Sequence, residues 1–146
     1  MVERLHARYI DGVNRKRADE LAGLFTADAV WDLGEYGTVD GAEAIGAWLG
    51  ELFTHWAVIV HSINSSIVEP DPGGTTAHGR LWFTEYGIRD GGPRAMAGCF
   101  HDRYALGADG HWRFAARRHD IQWRYLDGAH EALPFPAGFD GWLGQR

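Results

Sequence analysis

Gly98-Cys99-Phe100-His101-Asp102-Arg103-Tyr104, followed by Asp109-Gly110-His111-Trp112-Arg113-Phe114, is the stretch whose reading decides the fold. It predicts two strands joined by a tight glycine-containing turn. Side chains two apart in a strand share a face, so Gly98, Phe100, Asp102 and Tyr104 point one way. A carboxylate on an aromatic strand face is either held by a partner or used for chemistry. His101 points to the other face.

Outward from this hairpin, residues 57–69, 75–86, 94–106 and 111–123 form four long β-like runs. Asp71-Pro72-Gly73-Gly74, Asp90-Gly91-Gly92-Pro93 and Gly107-Ala108-Asp109-Gly110 separate them, turn signals at nearly regular intervals. The first part of the chain differs. Leu5, Tyr9 and Val13, then Leu21, Leu24 and Phe25, recur at helical spacing, with a break at residues 14–17. Thr26-Ala27-Asp28 predicts a turn, residues 29–33 a short strand, and residues 34–41 a glycine-rich connection. A further helix follows Asp40-Gly41, read as its cap, with Ala44, Ile45, Trp48, Leu49, Leu52 and Phe53 on one face. Helices followed by a meander of long strands predict an α+β fold, in which a strongly curved antiparallel sheet wraps around the N-terminal helices and encloses one deep pocket. Residues 1–125 form the domain. Residues 126–146 form an apolar tail, with Leu133, Phe135, Phe139, Trp142 and Leu143, expected to pack on the domain or on a neighbouring subunit.

The 146 residues suffice for one core, and 45% hydrophobic with 23% charged residues is ordinary for a globular domain. Seven Trp, seven Phe and five Tyr build either a bulky core or an aromatic cavity. A net charge of −6 argues against a nucleic-acid partner, which needs a basic face. No apolar run is long enough to span a membrane and no signal-peptide pattern opens the chain. The single cysteine, Cys99, excludes an intrachain disulfide, fits a cytoplasmic location and reads as a packing residue. The histidines lack metal-ligand spacing, and no phosphate loop or nucleophile elbow is present, so neither metal nor cofactor is expected.

Residues 18–21 (Ala-Asp-Glu-Leu), 29–32 (Ala-Val-Trp-Asp), 61–64 (His-Ser-Ile-Asn), 98–104, 112–114 and 120–123 (Asp-Ile-Gln-Trp), in that order and spacing, resemble the SnoaL-like branch of the NTF2-like superfamily, and within it the scytalone-dehydratase-like group. The resemblance runs from about Ala7 to Trp123. It implies the NTF2-like cone: a curved sheet backed by helices around one pocket. The fold hosts dehydratases, isomerases, epoxide hydrolases, polyketide cyclases and non-catalytic proteins. In dehydratase members a strand histidine is the acid/base, often supported by a carboxylate. The resemblance puts His61 at that histidine and Asp102 at a second inward position. The first-helix Tyr-Asp pair of scytalone dehydratase aligns with Val13-Asn14, and one of its substrate-positioning tyrosines with Leu33. Scytalone is therefore not the expected substrate.

His61 lies in an apolar strand and is either a buried, satisfied histidine or an acid/base near neutrality. Asp102 is a surface residue, an ion-pair partner of Arg103, Arg117 or Arg118, or the carboxylate that accepts a hydrogen bond from His61 and fixes its tautomer. Asp32 either faces the pocket or caps the turn toward Gly34, the turn being favoured. Tyr9 and Asn14 on the first helix border the pocket, and one or the other holds a substrate oxygen; Tyr9 is alternatively plain core, the reading favoured, and Asn14 alternatively positions a water. Trp31, Trp82, Tyr86 and Phe100 are its expected walls, or plain core. The reading is a cofactor-independent lyase or isomerase for a small hydrophobic, cyclic, oxygenated substrate. Its rival is a non-catalytic ligand-binding or assembly module. A partner subunit of a larger oxygenase is a third, weaker reading. A homo-oligomer, dimer or trimer, is expected from the outer face of a curved sheet.

Overall fold

A computed structural model describes residues 1–140. Three helices come first: α1 (Glu3–Asn14), α2 (Ala18–Ala22) and, after strands β1 (Phe25–Asp32) and β2 (Thr38–Asp40), α3 (Ala42–Thr54). Then come β3 (Trp56–Pro70), β4 (Thr76–Arg89), β5 (Gly92–Leu106), β6 (Trp112–Leu126) and β7 (Ala129–Ala132). The four long strands lie where the alternation and turn signals place them. The break after α1 is set by Lys16, whose φ of 55° is left-handed and cannot continue a helix.

The strands form one sheet in the order β2-β1-β6-β5-β4-β3, with β7 also paired to β6. It is mixed rather than purely antiparallel, because β1 runs parallel to β6. The ladder between them is interrupted between Phe25 and Val30, so Thr26-Ala27-Asp28 bulges within a strand instead of forming a separate turn. Asp40 belongs to β2, and Gly41, with φ 93°, precedes α3 without a side-chain cap.

Curvature comes from bulges and close approaches. The β3–β4 register shifts between Ile63 and Ser65, and the β5–β6 register between Ala97 and Gly98. A Cβ at Gly98 would run into the backbone carbonyl of Asp120, so only glycine lets β5 and β6 approach there. The concave face closes over α1 and α3. Leu5, Tyr9 and Val13 of α1 and Ile45, Leu49 and Phe53 of α3 are buried against Phe25, Trp31, Phe100, Tyr104 and Phe114.

Residues 133–140 lie on the outer face. Phe139 meets Trp82 at 6.0 Å and His101 at 4.6 Å between ring centroids, and Arg80 lies over its ring. Trp142 and Leu143, also expected in the tail contact, lie outside the described residues. Among the described residues no helix is long and apolar enough to cross a membrane.

Candidate functional site

A cavity of about 600 Å³ lies between the concave sheet face and the helices, within the range of small-molecule sites. Tyr9, Trp31, Phe100 and His61 line it. Trp82 and Tyr86 do not. On β4 the inward residues are Phe83 and Glu85, so Trp82 and Tyr86 point outward by strand alternation. Trp82 contacts Phe135 and Phe139 instead, and Tyr86 is exposed.

Asp32 does not act in the cavity wall. Its carboxylate accepts a hydrogen bond from the backbone N–H of Gly34 at 2.8 Å, the turn role. Asn14 has a different task from holding a substrate. Its amide donates to the carbonyl of His61 at 3.2 Å, and its oxygen accepts from the N–H of His61 at 2.7 Å. The side chain thus clamps the strand that carries His61 to the end of α1.

Asp102 is fully buried and does not bond to His61. Its two oxygens accept from Nε and Nη2 of Arg117 at 2.7 and 2.9 Å, and Tyr104 donates its hydroxyl to Oδ2 at 3.2 Å. His6 Nε2 lies 2.9 Å from the Tyr104 oxygen. Since the Tyr104 proton goes to Asp102, His6 donates, and burial pulls its pKa down to about 4. Arg117 is sealed by rings, its Cζ lying 3.9, 4.2 and 4.3 Å from the centroids of Phe100, Phe114 and Tyr9. Burial opposes its charge, yet Asp102 and its other neighbours hold its pKa above the usual value. Asp102 is an ion-pair residue of the core.

The carboxylate beside His61 is Glu85. The two residues are directly opposite in the β3–β4 ladder, and Nδ1 of His61 lies 3.3 Å from Oε1 of Glu85. The contact is within ion-pair range but not aligned as a hydrogen bond. An unbroken register from the turn at 71–74 sets Tyr86 opposite His61. The extra residue at Asn64 moves Glu85 there, which is why the sequence hides this partner.

His119, also unforeseen, lines the same cavity. It stands opposite Phe100 in the β5–β6 ladder and receives a hydrogen bond on Nδ1 from the Trp31 indole at 3.3 Å. Burial, reinforced by the charge of Arg117, pulls its pKa down to about 4. An unbroken register from the turn at 107–110 pairs Phe100 with Arg118, and the shift between Arg103 and Tyr104 brings His119 there instead, so the sequence hides this residue too. At one end of the sheet Arg89, Arg94 and Arg124 also reach the cavity. Tyr9 keeps its proton, since burial drives its pKa well above the ordinary range. Cys99 is buried, and burial pushes its thiol up to about 12, which suits packing and not nucleophilic attack. Among the described residues no group of three His, Cys, Asp or Glu side chains is arranged to hold a metal ion.

N-terminal helices backed by a strongly curved mixed sheet make the NTF2-like cone fold. The chain belongs to the SnoaL-like domain family, whose sequence model matches residues 1–118. Solved structures agree on the fold. A putative scytalone dehydratase from Novosphingobium aromaticivorans is 19% identical, with a TM-score of 0.80 over 94% of this chain and 91% of that one. A hexachlorocyclohexane dehydrochlorinase, LinA-type3, from Novosphingobium barchaimii is 20% identical, with a TM-score of 0.75 over 91% and 92%. An NTF2-like superfamily protein from Salmonella enterica is 12% identical, with a TM-score of 0.74 over 82% and 87%. No curated protein matches the chain.

Proposed function

We propose that this protein is a cofactor-independent acid/base lyase or isomerase acting on a small hydrophobic, cyclic, oxygenated molecule held in the cavity. The observation that carries the reading is the buried His61 in the cavity wall, with Glu85 3.3 Å from its Nδ1. Nδ1 faces the carboxylate, so Nε2 is the nitrogen that exchanges a proton with substrate. Glu85 orients the ring and offsets the positive charge it gains. In a dehydration, Nε2 removes a proton next to a carbonyl. The C–H electron pair forms the new double bond, and the β-hydroxyl leaves as water with the proton that the imidazolium returns. Returning that proton to the γ carbon of a β,γ-unsaturated ketone gives isomerisation with the same parts. The aromatic walls suit an apolar ring. The similarity to a putative scytalone dehydratase and a hexachlorocyclohexane dehydrochlorinase supports an elimination.

The rival reading, a non-catalytic binding module, draws on Asn14. The end of α1 offers an amide spent on backbone, with no carboxylate for the His61 ring. Conversion of cyclohex-3-enone to its conjugated isomer, followed by NMR, separates the two. The intact protein is expected to accelerate it, and His61→Gln and Glu85→Gln to lose on the order of 100-fold or more in rate with fold and ketone binding retained. A protein that binds the ketone but isomerises it no faster than the His61→Gln variant is a binding module.

A further inference from the structure

Of the two ring nitrogens of His119, only Nδ1 is engaged in a hydrogen bond among the described residues. The indole N–H of Trp31 has no acceptor capacity, so Nδ1 of His119, 3.3 Å away, must be the acceptor. A neutral imidazole that accepts on Nδ1 carries its proton on Nε2. The Trp31 contact therefore fixes the tautomer, and Nε2–H is the polar group His119 has left for the cavity it lines. The ring is also kept neutral. Burial and the nearby Arg117 pull its pKa down to about 4, against opposing pulls from Glu85, Asp120 and Asp32.

The position suits an oxygen ligand. His119 and His61 both pack on Phe100, at 6.3 and 5.7 Å between centroids, so the two imidazoles border one space from different strands. Glu85, beside His61, puts an acceptor and negative charge there, whereas the His119 side carries a donor with the cation of Arg117 behind it. A carbonyl oxygen, which gains negative charge when its α-proton is removed, is stabilised by the donor side and repelled by the acceptor side. The imidazole N–H bonds the enolate oxygen more strongly than the ketone oxygen, because negative charge grows on that oxygen as the proton leaves.

We infer that His119, its proton held on Nε2 by Trp31, is the hydrogen-bond donor to the carbonyl or enolate oxygen of a cyclic ketone in the cavity. This rests on the acid/base reading above for its catalytic meaning, but not for binding. Trp31 is then a positioning residue, acting through the tautomer of His119. The substrate class narrows to cyclic carbonyl compounds whose oxygen points to β6 while the carbon that loses its proton points to β3.

Equilibrium binding of 1-tetralone against tetralin, the same bicycle without the carbonyl, tests this without turnover. The intact protein is expected to prefer the ketone by about tenfold, the worth of one well-placed hydrogen bond. His119→Phe abolishes the preference and leaves tetralin binding unchanged, while His119→Gln, which keeps an N–H donor, restores part of it. Nitrogen-15 NMR reads the tautomer directly. Nε2 of His119 stays protonated from pH 5 to 8, and its proton moves downfield when 1-tetralone binds. In Trp31→Phe the tautomer becomes mixed. If the ketone preference survives His119→Phe, or falls instead in Tyr9→Phe, or if His119 carries its proton on Nδ1, the inference is overturned. The outcomes separate from those for His61. His61→Gln is expected to keep the ketone preference while losing isomerisation. A protein that never isomerises a ketone can still bind one through His119.

Discussion

Two acids face inward from neighbouring strands of this sheet, and they lead different lives. Asp102 has its oxygens filled by Arg117 and Tyr104 and sees no solvent. Glu85 lies against the cavity beside a histidine that it meets without a formed hydrogen bond. A carboxylate with a complete set of donors is committed to the fold, since moving it would strand a buried cation. A carboxylate with lone pairs to spare, next to a ring that can exchange a proton, has freedom left for chemistry. Burial alone does not tell the two apart; the count of satisfied lone pairs does.

The sharpest way to break this contrast is to neutralise each acid in turn. Asp102→Asn leaves the Arg117 guanidinium buried without its countercharge and is expected to cost about 3–5 kcal/mol in urea unfolding. Glu85→Gln is expected to change stability by less than about 1 kcal/mol while suppressing isomerisation. Equal stability losses in the two variants would erase the distinction.

Acid acts on both ends of the core through histidines held neutral. His6, at the Asp102 end, and His119, at the cavity, have pKa values of about 4, below the 6.5 of an unfolded chain. Between these values the unfolded chain binds protons that the folded one refuses. Stability is therefore full above pH 6.5 and declines as pH falls toward 4, by on the order of 3 kcal/mol for each histidine. Denaturation midpoints at pH 7 and pH 4.5 check this, and His6→Phe and His119→Phe are each expected to flatten the difference.

Smaller effects sharpen the comparison. Asn14→Ala removes two hydrogen bonds to the His61 backbone and is expected to cost about 2 kcal/mol, with a loss of turnover as that strand loosens. Tyr104→Phe removes one donor from Asp102 and the acceptor of the His6 N–H, and is expected to cost about 2 kcal/mol with turnover unchanged, measured by the same unfolding and rate assays.

Much of this architecture was legible from local pattern. The turn clusters at 71–74 and 107–110 stand between strands, and the one at 90–93 makes the β4–β5 turn and opens β5, because glycine and proline punctuate the chain locally. The inward set Gly98, Phe100, Asp102 and Tyr104 follows from the two-residue period alone. What escaped was whatever depends on residues far apart. The partner of His61 turns on one inserted residue at Asn64, which leaves no mark in composition or alternation. The partner of Asp102 was one of three arginines until the ladder set Arg117 opposite it. Trp82 and Tyr86 looked like cavity walls because aromatic residues suit both faces of a sheet; Trp82 lies under Phe135 and Phe139 on the outer face, and Tyr86 is exposed there.

The parallel seam between β1 and β6 also sets an order of assembly. The four long strands can zip together hairpin by hairpin, and His61 meets Glu85 within the first of these hairpins. The Trp31–His119 contact, by contrast, joins residues 88 apart in sequence and exists only once β1 docks on β6. Such long-range closure is slow relative to hairpin formation. During refolding the His61–Glu85 pair would thus form early. The tautomer of His119 would lock late, and with it any preference for a carbonyl, so ligand selectivity would report the last step of folding.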